Sequence, residues 1–245
     1  VEKFLSPAES PDGRPGVSLM FFAFGQSALE KAVSNRVGQC ILTCPTTACY
    51  SGYTPEDPEK NIALGSQLRF FGDGFQVSKK WGDRRLWRVP VMDGEFVCED
   101  QTGTFKGVAG GNLLICATDQ KSGLLATEAA VSAMQQVELT ILPFPGGIVR
   151  SGSKVGSRYS KLKASTNDAY CPTLQAQTTS DLPEGTGCVY EIVIDGAAFE
   201  PVQQAMKSGL HTVCQQPGIL QITAGNYGGK LGKHHFHLKD LIDRP

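Results

Sequence analysis

Gly187-Cys188-Val189-Tyr190-Glu191-Ile192-Val193-Ile194 is the most telling stretch of the chain. Alternation along a strand puts Val189, Glu191 and Val193 on one face and Cys188, Tyr190, Ile192 and Ile194 on the other. Both faces are apolar except at the acid. A carboxylate between two valines loses hydration, which raises its pKa and can keep it partly protonated near neutrality. General acids and bases are made from Glu in this way. A glutamate on an edge strand, pointing at water, fits the same alternation.

Working outward, Gly187 belongs to a repeat. Gly16, Gly25 and Gly38 recur as Gly187, Gly196 and Gly209, at a constant offset of 171 residues. The same plan appears between the matched glycines in both copies: a strand (Val17 to Phe24; Cys188 to Ile194), a turn, then a helix. The first helix is expected to open on a capping box of Ser27 and Glu30, with apolar Leu29, Val33 and Val37. The second carries Phe199, Val202 and Met206, with Pro201 acceptable in its first turn. Cys40 to Leu42 and Ile219 to Ile222 read as the strands that close each β-α-β unit.

A further unit precedes the second copy: a strand at Leu113 to Ala117, a helix from Ser122 to Gln136 and a strand at Leu139 to Pro143. The expected class is α+β, with two ferredoxin-like lobes related by internal repeat. Too few residues precede Gly16 for a matching unit there, so the first lobe is expected to be incomplete and the chain N-terminally truncated. Leu68 to Lys106 reads as an antiparallel hairpin insert, and Pro55 to Lys60 as a polar loop. The expected division is residues 1–107 and 108–245.

Composition sets the outer bounds. With 40% hydrophobic and 19% charged residues, 245 residues can bury a sizeable core. A net charge of -1 gives no bulk attraction to nucleic acid or membrane, and no apolar run reaches transmembrane length. Of eight cysteines, Cys98, Cys116 and Cys188 lie in apolar strand-like runs, which reads as free thiols of a cytoplasmic protein. Cys40, Cys44 and Cys49 match neither paired zinc spacing nor the CxxxCxxC spacing of radical enzymes. No metal site is expected, the His234, His235 and His237 group reading as a surface edge strand.

Several segments offer polar chemistry. Gly147, Gly152 and Lys154 are out of register for a phosphate loop, because Ser153 intervenes and no Ser or Thr follows the lysine. From Leu139 to Asn167 there is no acid, while Arg150, Lys154, Arg158, Lys161 and Lys163 supply five positive charges. That window suits an anionic substrate, or is an ordinary solvated face. Ser165-Thr166-Asn167-Asp168-Ala169-Tyr170 can hydrogen-bond a polar heterocycle, though turns are also built this way. Asn226 and Lys230 sit among glycines that would let a ligand approach the main chain. No GxSxG elbow is present.

These segments together resemble the formylmethanofuran:tetrahydromethanopterin formyltransferase family. The resemblance is carried by PDGRPGV (11–17), VGQC (37–40), FFGDGF (70–75), DGEF, GVAGGN, PFPGGIV, SKVGS, ASTNDAYCPT, CVYEIVI, CQQPG and GGKLG. Trp81, Trp87 and ILTCPT look more like the bacterial branch, which serves formaldehyde oxidation, than the methanogen branch. The resemblance implies two related lobes, a homotetramer built as a dimer of dimers, and no prosthetic group. It also implies methanofuran and tetrahydromethanopterin as coenzyme substrates and, in bacteria, a place in a formyltransferase/hydrolase complex. The family's key acid falls on Glu191. Substrate contacts are expected from Lys154, Ser157, Ser165, Thr166, Asn167, Asp168, Tyr170, Gln215, Gln216, Asn226 and Lys230. A non-catalytic coenzyme-binding or scaffolding subunit, and a hydrolase releasing formate, are the competing expectations.

Overall fold

Cys188–Gly196 forms an inner strand of a four-stranded sheet. The computed structural model describes residues 2–225 and 234–242 and divides into two compact units, Val1–Lys106 and Gly107–Pro245. In the second unit the strands follow the order Thr140–Ile141, Cys188–Gly196, Val108–Ala117, Ile219–Thr223, with every pairing antiparallel. Helices Gln120–Met134 and Phe199–Cys214 connect them as β-α-β-β-α-β. Asp119 starts the first helix by accepting from the N–H groups of Lys121 and Ser122, each at 3.0 Å. Pro217 and Gly218, the latter at φ 77°, stop the second.

The core of this unit follows from the alternation. Leu113, Ile115, Ile192 and Ile194 are fully buried and pack in one cluster with Ala130, Met134, Val202, Met206 and Leu210 of the two helices. Burying each large aliphatic side chain contributes about 1.5–3 kcal/mol relative to leaving it exposed. Close helix contact depends on Gly209, where an added Cβ would meet Met134 Cε at 2.0 Å. The other face of the sheet carries Asn112, Leu114 and Glu191.

The first unit departs from the repeat. Gly16–Leu19 is a four-residue strand, not one reaching Phe24, and it pairs antiparallel with Glu2–Leu5. Helix Gln26–Arg36 follows. Its cap is Gly25, at φ 89°, with no side-chain cap bond; Ser27 lies inside the helix, so the capping box does not form. Gln26 Nε2 instead donates to the Glu59 carbonyl at 3.1 Å, which ties down the start of the helix. Cys40 to Leu42 is not a strand: the helix rolls into a π-helical turn, Val37–Ile41. The chain there has no Pro-Gly stop like that of the second unit, and its first proline after the helix is Pro45.

The hairpin insert belongs to this first unit. Val77–Trp81, Arg84–Val91 and Gly94–Glu99 make an antiparallel meander, and Ala48–Cys49 adds to it in parallel. Val33 and Val37 pack beneath it with Ile62, Leu64, Val89 and Phe96. Pro58–Lys60, at the end of the expected loop, is a short 3-10 turn. The expected strand Leu139 to Pro143 shrinks to Thr140–Ile141, because Leu139 takes a left-handed φ of 63°. His234 to His237 form no strand, although the rings of His235 and His237 do lie on one side, 6.4 Å apart. All eight cysteines are free thiols, with Cys98, Cys116 and Cys188 buried.

Candidate functional site

Antiparallel register sets a row of residues across the second sheet. Glu191 lies opposite Leu114, and Leu114 opposite Thr223. On the outer side, Val149 forms a bridge with Glu191: its N–H donates to the Glu191 carbonyl at 2.7 Å, and its carbonyl accepts from the Glu191 N–H at 3.0 Å. The acid is therefore walled in by main chain on both sides, which excludes the edge-strand alternative. Glu191 is 8% exposed. Burial raises its pKa from the ordinary carboxyl value, and a hydrogen bond from Asn112 opposes this more weakly.

Asn112 holds that bond through Nδ2, 3.2 Å from Glu191 Oε1. Its own Oδ1 accepts from the Gly225 N–H at 2.9 Å. Above the acid opens a cleft of about 100 Å³. Leu114, Val149 and Val189 give it an apolar wall, and Arg150, Asn167 and Tyr170 supply polar groups. The Tyr170 hydroxyl is hydrogen-bonded to Thr223, and burial raises its pKa. Cys171 also lines the cleft; burial, reinforced by Asp168, pushes its thiol up. Burial likewise pushes Cys116, on the same sheet face, up to about 11. Both sulfurs are therefore thiols, not thiolates, at neutral pH.

A larger depression of about 370 Å³ lies elsewhere, among Leu210, Leu220, Ile222, Leu238 and Ile242. Among the described residues it holds no carboxylate, histidine or basic side chain, so the smaller cleft, which has Glu191 and Arg150, is the candidate site.

The expected contact residues divide. Asn167 and Tyr170 join Glu191 in the cleft. Lys154 does not reach it as a free cation: it is ion-paired with Asp168, across the hairpin of Ser153–Val155 and Ala164–Thr166. Lys154 pulls the Asp168 carboxyl below its usual range. From the basic window, Arg150 lines the cleft instead. Ser165 Oγ donates to the Gly156 carbonyl at 2.8 Å, and Ser157 Oγ accepts from the Tyr159 N–H at 3.0 Å, so both hydroxyls serve their own loop. Thr166 is exposed opposite Ser153. Gln215 and Gln216 lie past the helix end, Gln216 at the larger depression, and the structure does not bring them to Glu191. Asn226 and Lys230 fall outside the described residues.

Sequence reasoning missed Asn112, and it placed Arg150 in the basic window without singling it out over Lys154. Asn112 left a signal: it is a polar residue two positions before Leu114, on the same face of the strand.

The comparisons with known proteins agree along the chain. Residues 1–91 match the family described as "Formylmethanofuran-tetrahydromethanopterin formyltransferase", and residues 94–241 match "FTR, proximal lobe". The formylmethanofuran–tetrahydromethanopterin formyltransferase of Methylococcus capsulatus is 52% identical, over 99% of this chain and 81% of its own length. That of Methanopyrus kandleri is 48% identical over 98% of this chain and 80% of its own. Among solved structures, the formyltransferase/hydrolase complex of Methylorubrum extorquens, crystallised with methylofuran, superposes at a TM-score of 0.87. It is 49% identical, covering 99% of this chain and 81% of the matched one. The formyltransferase of Methanosarcina barkeri gives 0.79 at 43% identity, covering 98% and 80%.

Proposed function

The chain belongs to the formylmethanofuran–tetrahydromethanopterin formyltransferase family, and from that premise we infer how it moves a formyl group between the two coenzymes, with Glu191 as proton carrier. The carrying observation is a carboxyl group that is buried, raised in pKa and open to a cleft.

The chemistry needs little more from the protein. A ring nitrogen of the pterin attacks the formyl carbon of the amide, giving a tetrahedral intermediate with a negative oxygen. As the new C–N bond forms, the ring N–H loses its proton to the Glu191 carboxylate. As the old C–N bond breaks, the methanofuran nitrogen takes that proton and leaves as an amine. The carboxyl group ends as it began. Burial moves its pKa upward, the direction that eases uptake of the proton in such a relay. Holding the two coenzymes in contact supplies the remainder of the rate. Arg150 is the cation at the cleft, and we assign it the developing negative oxygen or a coenzyme carboxylate. The raised thiols of Cys171 and Cys116 argue against a formyl-thioester on the enzyme.

Asn167 and Tyr170 are the polar contacts that we carry forward; Lys154 and Asp168 act as a pair that braces the hairpin. The strand order of the second unit supports a ferredoxin-like lobe there. A homotetramer is supported by Phe70, Phe71 and Phe75, which are 67%, 65% and 79% exposed on the first unit. A place in a formyltransferase/hydrolase complex is supported by 51% identity to a component of that complex in Methylorubrum extorquens. The free cysteines support a reducing, cytoplasmic setting. Among the described residues no helix is long and apolar enough to cross a membrane.

The test is a direct assay of formyl exchange between the two purified coenzymes. Wild-type chain should catalyse it without releasing formate. Formate appearing at the rate of formyl loss, with no formyl-pterin formed, would overturn the transferase reading.

A further inference from the structure

Glu191 has two oxygens, and the sheet treats them differently. Oε1 faces the Asn112 amide at 3.2 Å. The orientation of that amide is fixed from behind: the Gly225 N–H, 2.9 Å away, can only donate, so Asn112 must present its carbonyl oxygen there. The other end of the amide, an NH₂ with donors only, is then turned to Glu191. A donor facing Oε1 cannot accept a proton from it. The carbonyl oxygen of a protonated acid is its stronger acceptor, so this donor favours the carbonyl at Oε1 and the hydrogen on Oε2.

We propose that Asn112 is a positioning residue for the transfer: locked by the Gly225 main chain, it fixes the Glu191 carboxyl so that the mobile proton is carried on Oε2. This rests on the reading of Glu191 as proton carrier. The device also links the acid to the chain that leaves strand Ile219–Thr223, since Gly225 lies two residues beyond that strand. A shift of that segment would release the amide and, with it, the orientation of the acid. Among the described residues, the titratable and charged groups that share the cleft with Glu191 are Arg150, Tyr170 and Cys171, with Cys116 on the adjoining strand. None of them takes the place of the Asn112 donor on Oε1 among the described residues.

The experiment measures kcat against pH for the wild-type chain and for Asn112→Ala, Asn112→Asp and Glu191→Gln, with both coenzymes saturating. Asn112→Ala should lower turnover about tenfold. It should also raise the pKa governing kcat by about one unit, because a donor that favours the carboxylate is gone. Asn112→Asp should be far weaker at neutral pH and recover as pH falls, since one proton shared by two carboxyls restores a donor. A purely structural role would not produce that recovery. An infrared pH titration of the protonated-carboxyl C=O band, with no coenzyme present, supplies a second readout: loss of the Asn112 bond should move the Glu191 band to higher frequency. Unshifted profiles and an unshifted band, with Glu191→Gln inactive, would overturn the positioning role and leave the proton carrier standing. An active Glu191→Gln would overturn both.

Discussion

Glu99 in the first unit and Glu191 in the second are buried almost equally, at 9% and 8% exposure. Their partners differ. Glu99 accepts from Arg84 Nε at 2.8 Å and Nη2, and from the Ser51 N–H at 2.7 Å. Its charge is matched by a cation, and its oxygens are satisfied. Among the described residues, Glu191 has one neutral side-chain donor and a cleft beside it. Burial by itself thus does not mark a candidate acid; burial with no counter-ion among the described residues, next to space for a reactant, does. The first unit uses its carboxylate to fasten strands together; the second, on the proposed reading, keeps its own for proton exchange.

The sharpest break of this contrast comes from exchanging each acid for its amide. Glu191→Gln should lower formyl transfer by roughly two to four orders of magnitude while coenzyme KM values stay close to wild type. Glu99→Gln should do the reverse. It leaves Arg84 without its charge partner and should cost roughly 1–3 kcal/mol in chemical denaturation, a figure discounted because Arg84 is 36% exposed. Its turnover, at a temperature where it is folded, should match wild type. Equal losses of turnover in the two variants would erase the distinction.

A second contrast concerns the helix ends. In the second unit, Pro217 and Gly218 end a 16-residue helix so that a strand can begin at Ile219; in the first, helix becomes π-turn. Gly218→Ala places a Cβ 2.8 Å from Ser122 Cβ at a φ of 77° and should destabilise the protein by about 1–2 kcal/mol. A neutral effect would show that the stop does not depend on glycine.

The smallest effect expected is in stability against pH. The folded-state pKa of Glu191 lies above its unfolded value. The folded chain therefore binds more protons between those two values, and stability falls as pH rises through that window. The contribution is fully present below the unfolded pKa and lost above the folded one. In Glu191→Gln this part of the decline should disappear, leaving the variant slightly more heat-stable than wild type at neutral pH. Parallel curves of Tm against pH would count against a buried, raised carboxyl.

These contrasts also mark what was legible from the sequence. The second unit's elements were readable because several signals coincide there: a long apolar-periodic run from Ser122 to Gln136, Pro201 placed where only a first turn accepts it, and an unbroken apolar alternation around Glu191. Cys40 to Leu42 was not, since three apolar residues without a breaker fit a strand or a continuing helix equally. The contact of Asn112 with Glu191 is diagonal across two strands separated by 79 residues, so it appears only once register is known. The exchange of Lys154 for Arg150 has the same origin. Hairpin pairing turns Lys154 toward Asp168, and charge counting along the chain carries no such direction. For Gln215 and Gln216, a polar pair at a helix end gave no hint of which face of the sheet it would meet.

The most direct measurement is kcat as a function of pH for wild type and Glu191→Gln, both coenzymes saturating. Wild type should show one ionisation above the ordinary glutamate range, and the residual activity of the variant should lack it. An ionisation that persists unchanged in Glu191→Gln would mean that another group moves the proton.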